Sequence, residues 1–337
     1  MNPTKSNHKF CLGIDISKAD YHVALLHRES GESIARSKFA NNPQGHAKLL
    51  DWLAKHTGAD LPVHACMEAT GSYGESLADH LDGKVAILSV VNPRAIKAHG
   101  DSDLRRCKSD PADARLIADY CRSKQPRAWQ APSPAQRKNK AISRCLANLK
   151  KDRTRESNRL DLCSDKTVVK ALKAHIKWIE KQIAKLEDEL IAAVKENAAS
   201  ARALELIVSI KGIGEKSAAY LIAELPDLAL LKNARQLAAY AGVTPRIFQS
   251  GTSGKTRTPM SKAGNRHIRK ALFFPAMSAM RFNPICKAFA ERLKEKGKPS
   301  IVIIGAVMTK LLHLIYGVLK SEKPFNPDIL KKAQIIP

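Results

Sequence analysis

Apolar residues in the first 130 positions gather into short runs separated by polar turns. Cys11–Ile16, Tyr21–Leu26, Ser33–Phe39, Val63–Glu68 and Val85–Val91 have the length and β-branched content of strands. Pro43–His56 and Tyr73–Leu81 carry apolar positions at helical spacing, and a further helix begins near Asp110. The texture then changes. From Pro134 to about Asn197 the chain is helical and charged, and Val169, Leu172, Ile176, Ile179, Ile183, Leu186 and Leu190 recur at alternating spacings of three and four. Such a seam predicts a coiled coil, the alternative being an amphipathic helix packed on its own domain. Because it follows a basic, glycine-free helix (Gln136–Leu160), the pattern predicts a hairpin that pairs with another subunit.

Three strands, a helix, a strand, a helix, a strand and a helix is the order of a ribonuclease-H-like α/β fold, in which the first and fourth strands are neighbours. The expected division is an α/β domain over 1–133, a helical linker over 134–198 and a mostly α domain over 199–337. Ile301–Leu319 approaches the length of a membrane span but carries Lys310 and His313. Its apolar positions at Ile304, Val307, Leu311, Leu312 and Ile315 predict a buried helix, hence a soluble protein with no membrane partner.

Four carboxylates carry the first chemical signal. Asp15 ends the run Leu12-Gly13-Ile14-Asp15, and Glu68 ends Val63-His64-Ala65-Cys66-Met67-Glu68. Asp110 and Asp113 lie three apart in Lys108-Ser109-Asp110-Pro111-Ala112-Asp113, at a helix start. The expected fold brings Asp15 and Glu68 together and packs the Asp110/Asp113 helix on the same sheet edge. Oxygen donors so placed suit Mg2+ (or Mn2+) in phosphoryl transfer, where two ions roughly 3.5–4 Å apart hold the attacking and leaving oxygens. Helix capping alone also explains Asp110 and Asp113, since an acid before proline suits a first turn.

Charge names the polymer. Lys and Arg number 57 against 32 Asp and Glu, a net +25 and a pI near 9.9. Such an excess costs self-repulsion unless a polyanion balances it. With aromatics at 5%, contact with phosphate backbones is expected over base stacking as the dominant mode. Seven scattered cysteines, none spaced C-x-x-C, predict reduced thiols and argue against a zinc site. The polar N-terminus predicts no secretory signal.

Two motifs follow in the C-terminal half. Ile210-Lys211-Gly212-Ile213-Gly214-Glu215-Lys216 has the pattern of a helix-hairpin-helix, whose glycines let backbone N–H groups approach a DNA phosphate; a plain tight turn is the alternative. Further on, Gln249-Ser250-Gly251-Thr252-Ser253-Gly254 reads by composition as a flexible loop, but Lys255, Arg257, Lys262, Arg266, Arg269 and Lys270 hem it with cations. A serine there needs a base or a metal to act as a nucleophile.

Taken together, Gly13-Ile14-Asp15, Glu68-Ala69-Thr70-Gly71, Asn92-Pro93, Ser109-Asp110-Pro111-Ala112-Asp113-Ala114-Arg115, Pro126-Arg127-Ala128-Trp129, Ile210-Lys211-Gly212-Ile213-Gly214, Ala241-Gly242-Val243-Thr244-Pro245, Ser250-Gly251 and Met260-Ser261-Lys262-Ala263-Gly264 resemble the DEDD transposases of bacterial insertion sequences, relatives of the pilin-gene invertase and understood as bridge-RNA-guided recombinases. The resemblance spans nearly the whole chain. It implies a RuvC-like domain, a coiled-coil linker and a C-terminal transposase domain. It also implies Asp15, Glu68, Asp110 and Asp113 as magnesium-binding acids and Ser250 as the nucleophile, with Ser253 in the same loop. The implied partners are donor and target DNA, a noncoding guide RNA and further copies of the chain, up to a tetramer on DNA, in the bacterial cytoplasm at the nucleoid. Two other readings stand beside it. One is a RuvC-like nuclease or junction resolvase using water; the other is a non-catalytic architectural DNA-binding protein.

Overall fold

Five strands make one mixed sheet in the order β3-β2-β1-β4-β5. In the computed structural model, which describes residues 8–69, 71–102, 110–246 and 258–328, the chain divides into two units, Met1–Ala131 and Pro132–Pro337. In the first, β1 (Phe10–Ile16), β2 (Asp20–His27) and β3 (Ser33–Ala40) form an antiparallel meander. Helix α1 (Pro43–Thr57) crosses to β4 (Val63–Glu68), which runs parallel to β1. A 3-10 turn and α2 (Glu75–Leu81) then lead to β5 (Ile87–Val91), parallel to β4, and α3 (Pro93–Ser102) and α4 (Asp110–Lys124) follow.

The pleat sorts the side chains onto two faces. Leu12, Ile14, Val63, Ala65 and Met67 pack with Leu49 and Leu53 of α1 and Leu77 and Leu81 of α2. On the other face Cys11 and Cys66 meet Ile96 of α3 and Ile117 and Cys121 of α4. Gly13 lies on this second face, and α4 rests directly on it: an added Cβ would overlap the Ala114 carbonyl and the Ala118 amide.

The strand order and the neighbouring of the first and fourth strands agree with the expected α/β arrangement, compatible with a RuvC-like domain. Most boundaries shift by a residue or two, and one helix is added. The fifth strand starts at Ile87, not Val85, because the Lys84 and Val85 amides donate back to Leu81 O at the end of α2. Helix α3 was not anticipated; its signal was Asn92-Pro93, with Asn92 Oδ1 accepting from the Arg94 amide and proline in the first turn.

The described part of the second unit is helical apart from one β-bridge, Pro245–Met260. Its elements are α5 (Pro134–Asp161), α6 (Lys166–Lys195), α7 (Ala198–Val208), α8 (Glu215–Glu224), α9 (Ala234–Ala241), α10 (Arg266–Phe282), α11 (Pro284–Glu295) and α12 (Ser300–Ser321). A capping box, Ser133 with Gln136, starts α5, and Asp165 caps α6 after a short link. Helix α12 alone among the described helices is long and apolar enough to cross a membrane. It packs on α7, α9, α10 and α11 through Val307, Leu311, Leu312 and Ile315, as the sequence expected of a buried helix.

The 169–190 seam is covered from within the chain, the alternative its pattern also allowed. Helix α5 of the same chain packs along α6, and Leu172, Ile179, Ile183 and Leu190 are buried within this one chain. Ile142 and Leu146 of α5 share that core. Beside the seam, Glu187 of α6 receives both Lys150 of α5 and Lys216 of α8. The short link folds α6 back on α5, so the apolar stripe is satisfied locally.

Candidate active site and nucleic-acid interface

The last register pair between β1 and β4 is Ile14 with Met67, and one step further on each strand stand Asp15 and Glu68. Strand alternation puts both on the face that α4 covers. Helix α4 runs antiparallel to β1: its Cys121 packs beside Cys11, and its Ala114 and Ala118 lie over Gly13. Its N-terminus, with Asp110 and Asp113 in the first turn, therefore points to the strand end that holds Asp15. His22, the register partner of Asp15 on β2, fixes the direction, with Nδ1 3.9 Å from Asp110 Oδ2. Sequence reasoning missed His22, because nothing in β2 signals which residue opposes Asp15. The four acids thus share one end of one sheet face. Asp15, Glu68 and Asp113 are half-buried and Asp110 is exposed.

Among the described residues, no three His, Cys, Asp or Glu side chains are gathered closely enough to hold a metal ion. The donors are all carboxylates, the ligand type a hard divalent ion takes. Mg2+ is usually held by one or two carboxylates plus phosphate oxygens of a substrate, with no all-protein cage. In donor chemistry the residues fit such an ion.

Ser250, the proposed nucleophile, lies outside the described residues, as do Ser253, Lys255 and Arg257. The described residues on either side of 247–257 pair with one another and form a stem. Pro245 bridges to Met260, the Arg246 amide donates to Pro259 O, the Ser261 amide to Thr244 O and the Lys262 amide to Gly242 O. Gly242, at φ +69°, closes α9, and a Cβ there would meet Arg269 Nη1 at 2.7 Å and the Gly264 nitrogen at 3.0 Å. The stem is seated by Asn265. Its Oδ1 accepts the first amides of α10, and its Nδ2 donates to the buried carboxylate of Glu224 at 2.9 Å. Glu224 and Asn265 were not read from the sequence; the Gly264-Asn265 pair before a helix is the trace they leave there.

The basic candidates divide. Lys262, Arg266 and Lys270 are exposed. Arg269 is turned into the fold, where Nη1 donates to Ala241 O at 2.8 Å and Gly264 O at 3.2 Å, and burial lowers its pKa. Lys216 is paired with Glu187 Oε2 at 2.7 Å, which raises its pKa. Lys211 is exposed, and its carbonyl accepts from Asn283 Nδ2. Gly212 holds φ +104° with its Cα against Ala279, while Gly214 caps α8 in open space.

The fold and site define the chain as a DNA-rearranging enzyme of the transposase class once they are set beside known proteins. Residues 12–167 match a transposase family of DEDD type and residues 204–291 match the transposase IS116/IS110/IS902 family. The pilin gene-inverting proteins of Moraxella bovis and Moraxella lacunata are each 31% identical over 332 residues, covering 95% of this chain and 99% of theirs. A mini-circle putative transposase for IS117 from Streptomyces coelicolor is 22% identical over 400 residues, covering 94% of this chain and 95% of its own. The chain belongs to the IS110 family of transposases.

Proposed function

We propose that this transposase is an RNA-guided recombinase that cuts and rejoins strands of donor and target DNA through a covalent 5′-phosphoserine at Ser250. The observation that carries the reading is the arrival of Asp15, Glu68 and the Asp110/Asp113 turn at one end of one sheet face. Residues 1–133 then supply the acids, 134–198 link, and 199–337 supply the serine. Bound at the acids, Mg2+ would polarise the phosphodiester and offset developing charge. The serine Oγ loses its proton and forms a bond to phosphorus; the bond to the 3′ oxygen breaks, and that oxygen takes up a proton. A 3′-hydroxyl of the partner strand reverses the step and frees the serine, so the phosphodiester is conserved.

The proposed nucleic-acid contacts are the Lys211–Gly214 turn, in helix-hairpin-helix manner, and the exposed cations Lys262, Arg266 and Lys270, together with Lys255 and Arg257. A guide RNA that chooses sequence by base pairing leaves the protein to read backbone and shape, in keeping with +25 net charge. Assembly into a dimer or a tetramer on two DNAs belongs to the same reading.

Trapping a covalent protein–DNA adduct tests it. Wild type with RNA, DNA and Mg2+ should yield an adduct that maps by mass spectrometry to Ser250. Ser250→Ala should still bind RNA and DNA but give none, and Ser253→Ala should retain it. Metal-dependent cleavage without an adduct would make the chain a water-using nuclease or junction resolvase; neither cleavage nor adduct would make it architectural. Site-specific recombination by protein alone would remove the RNA and leave the serine chemistry standing.

A further inference from the structure

Within the second unit, a groove of about 1980 Å³ runs between α5 on one side and α10 with the start of α12 on the other. Positions 143, 147, 150, 151, 154, 155, 158 and 159 of α5 and its C-cap Leu162 line it, a single stripe roughly 28 Å long at 1.5 Å per residue. Among the described residues the lining holds nine Lys or Arg and no Asp or Glu: four on α5, four between Lys262 and Lys270, and Lys298. Lys150, Arg155 and Arg159 are held by acids outside the groove. Lys151, Lys262, Arg266, Lys270 and Lys298 have no acidic partner among the described residues. Part of the lining is apolar and open to solvent: Phe274 is 75% exposed, Ile301 64% and Val302 51%. Of the lining residues, Ser143, Tyr220 and His267 each hold a buried polar atom with no hydrogen-bond partner among the described residues.

We propose that this groove is a track for an unpaired strand of DNA or RNA, with phosphates along Lys151, Lys270 and Lys298 and an unstacked base on Phe274. The inference rests on the reading of the chain as a nucleic-acid recombinase and deepens it. An acid-free cationic lining selects a polyanion. A duplex turns its phosphates outward and hides its bases, so it would leave Phe274, Ile301 and Val302 against charge. A single strand offers both a charged backbone and the flat apolar face of a base, and stacking on an aromatic side chain is how such strands are gripped without sequence choice. The scarcity of aromatics in the whole chain therefore does not extend to this groove, whose lining includes Phe273 and Phe274 beside the cations. Cutting and rejoining of strands supplies the ligand, since it unpairs bases beside each nick.

The full-length protein is titrated into short unstructured oligodeoxythymidine, the same length of oligouridine, and a duplex of equal length, followed by fluorescence anisotropy at several salt concentrations. Phe274→Ala should weaken single-strand binding about tenfold, in line with ~1–3 kcal/mol per stacked base, and leave duplex binding as it was. Phe274→Trp should restore it. Lys151→Glu with Lys270→Glu should flatten the salt dependence, whereas Lys55→Glu on α1 should not. A strand carrying 5-iodouracil should photocrosslink to Phe274. The preferred strand, DNA or RNA, identifies the source. Equal single-strand binding by wild type and Phe274→Ala overturns the proposal, as does an equal loss on duplex or crosslinks confined to Met1–Ala131. Serine adducts are scored in parallel: an adduct with unchanged strand binding in Phe274→Ala sinks the groove and spares the recombinase reading, and a wild type without adduct sinks that reading while the binding data still decide the groove.

Discussion

Gly13 of β1 and Ala118 of α4 meet backbone to backbone, with no room for a side chain between them. That contact lets α4 lie on the sheet and so sets where Asp110 and Asp113 stand relative to Asp15. Overpacking a site whose neighbours are backbone atoms costs about 1–3 kcal/mol. Gly13→Ala should lower the unfolding free energy by about that much, and Gly13→Val by more. Both should also lose strand cleavage. Urea denaturation beside a cleavage assay checks this; a stable, active Gly13→Val protein would mean that α4 does not position the acids.

Asp113→Asn separates capping from catalysis. Asn still suits the first turn of a helix, so the thermal midpoint should stay within a few degrees of wild type. Cleavage in Mg2+ should drop by orders of magnitude, because Asn brings no charge to a hard cation. Cleavage at the wild-type rate would reduce Asp113 to a first-turn acid.

Ile183 is 6% exposed inside the α5–α6 core. Ile183→Asp places a carboxylate there without a partner and should destabilise the second unit by about 3–5 kcal/mol. Circular dichroism melts should shift far down, together with or without any change in oligomeric state by light scattering. A monomer that melts like wild type would return the seam to an interface between subunits.

Acid should loosen the first unit through His64. This imidazole is buried in β4, and its pKa is pushed down to about 4, first by burial and then by His8 and Arg28. Nε2 lies 2.8 Å from Ser89 Oγ, which reaches the Arg127 carbonyl at 2.8 Å. The unfolded chain binds a proton below its ordinary pKa of ~6.5 while the folded one stays neutral. Stability is therefore complete above about pH 6.5 and falls as pH drops toward 4, by up to ~3 kcal/mol. Denaturant midpoints measured across that window should slope less in His64→Gln than in wild type; parallel slopes would remove His64 as the cause.

Local pattern carried the strands, and the reason is visible in β1 and β4. Each is an apolar run long enough to be buried on both faces, and each closes on an acid. The same holds for α12, whose apolar spacing outweighs Lys310 and His313. The seam of α6 was equally plain as a stripe. What covers a stripe is a matter of what the chain brings up to it, and only the folding of α6 onto α5 showed that. The basic residues show the same limit. Lys216, Arg269 and Lys270 are alike as letters, yet Glu187 neutralises the first, two carbonyls hold the second, and the third faces the groove.

The sequence by itself determined that this is a basic chain with four acids at element ends, a helical C-terminal half and the motifs of its family, because those properties depend on residue type and short spacing. The strand order already implied that Asp15 and Glu68 meet; only the tertiary structure decided the register that sets both on the face α4 covers, with His22 opposite Asp15. It alone decided that a stripe of α5 and the start of α10 line one groove, with Lys151, Lys270 and Phe274 in its lining. Both juxtapositions join residues far apart in the chain through the register of a parallel strand pair and the packing of a helix on a glycine, and neither leaves a periodic trace in either segment alone.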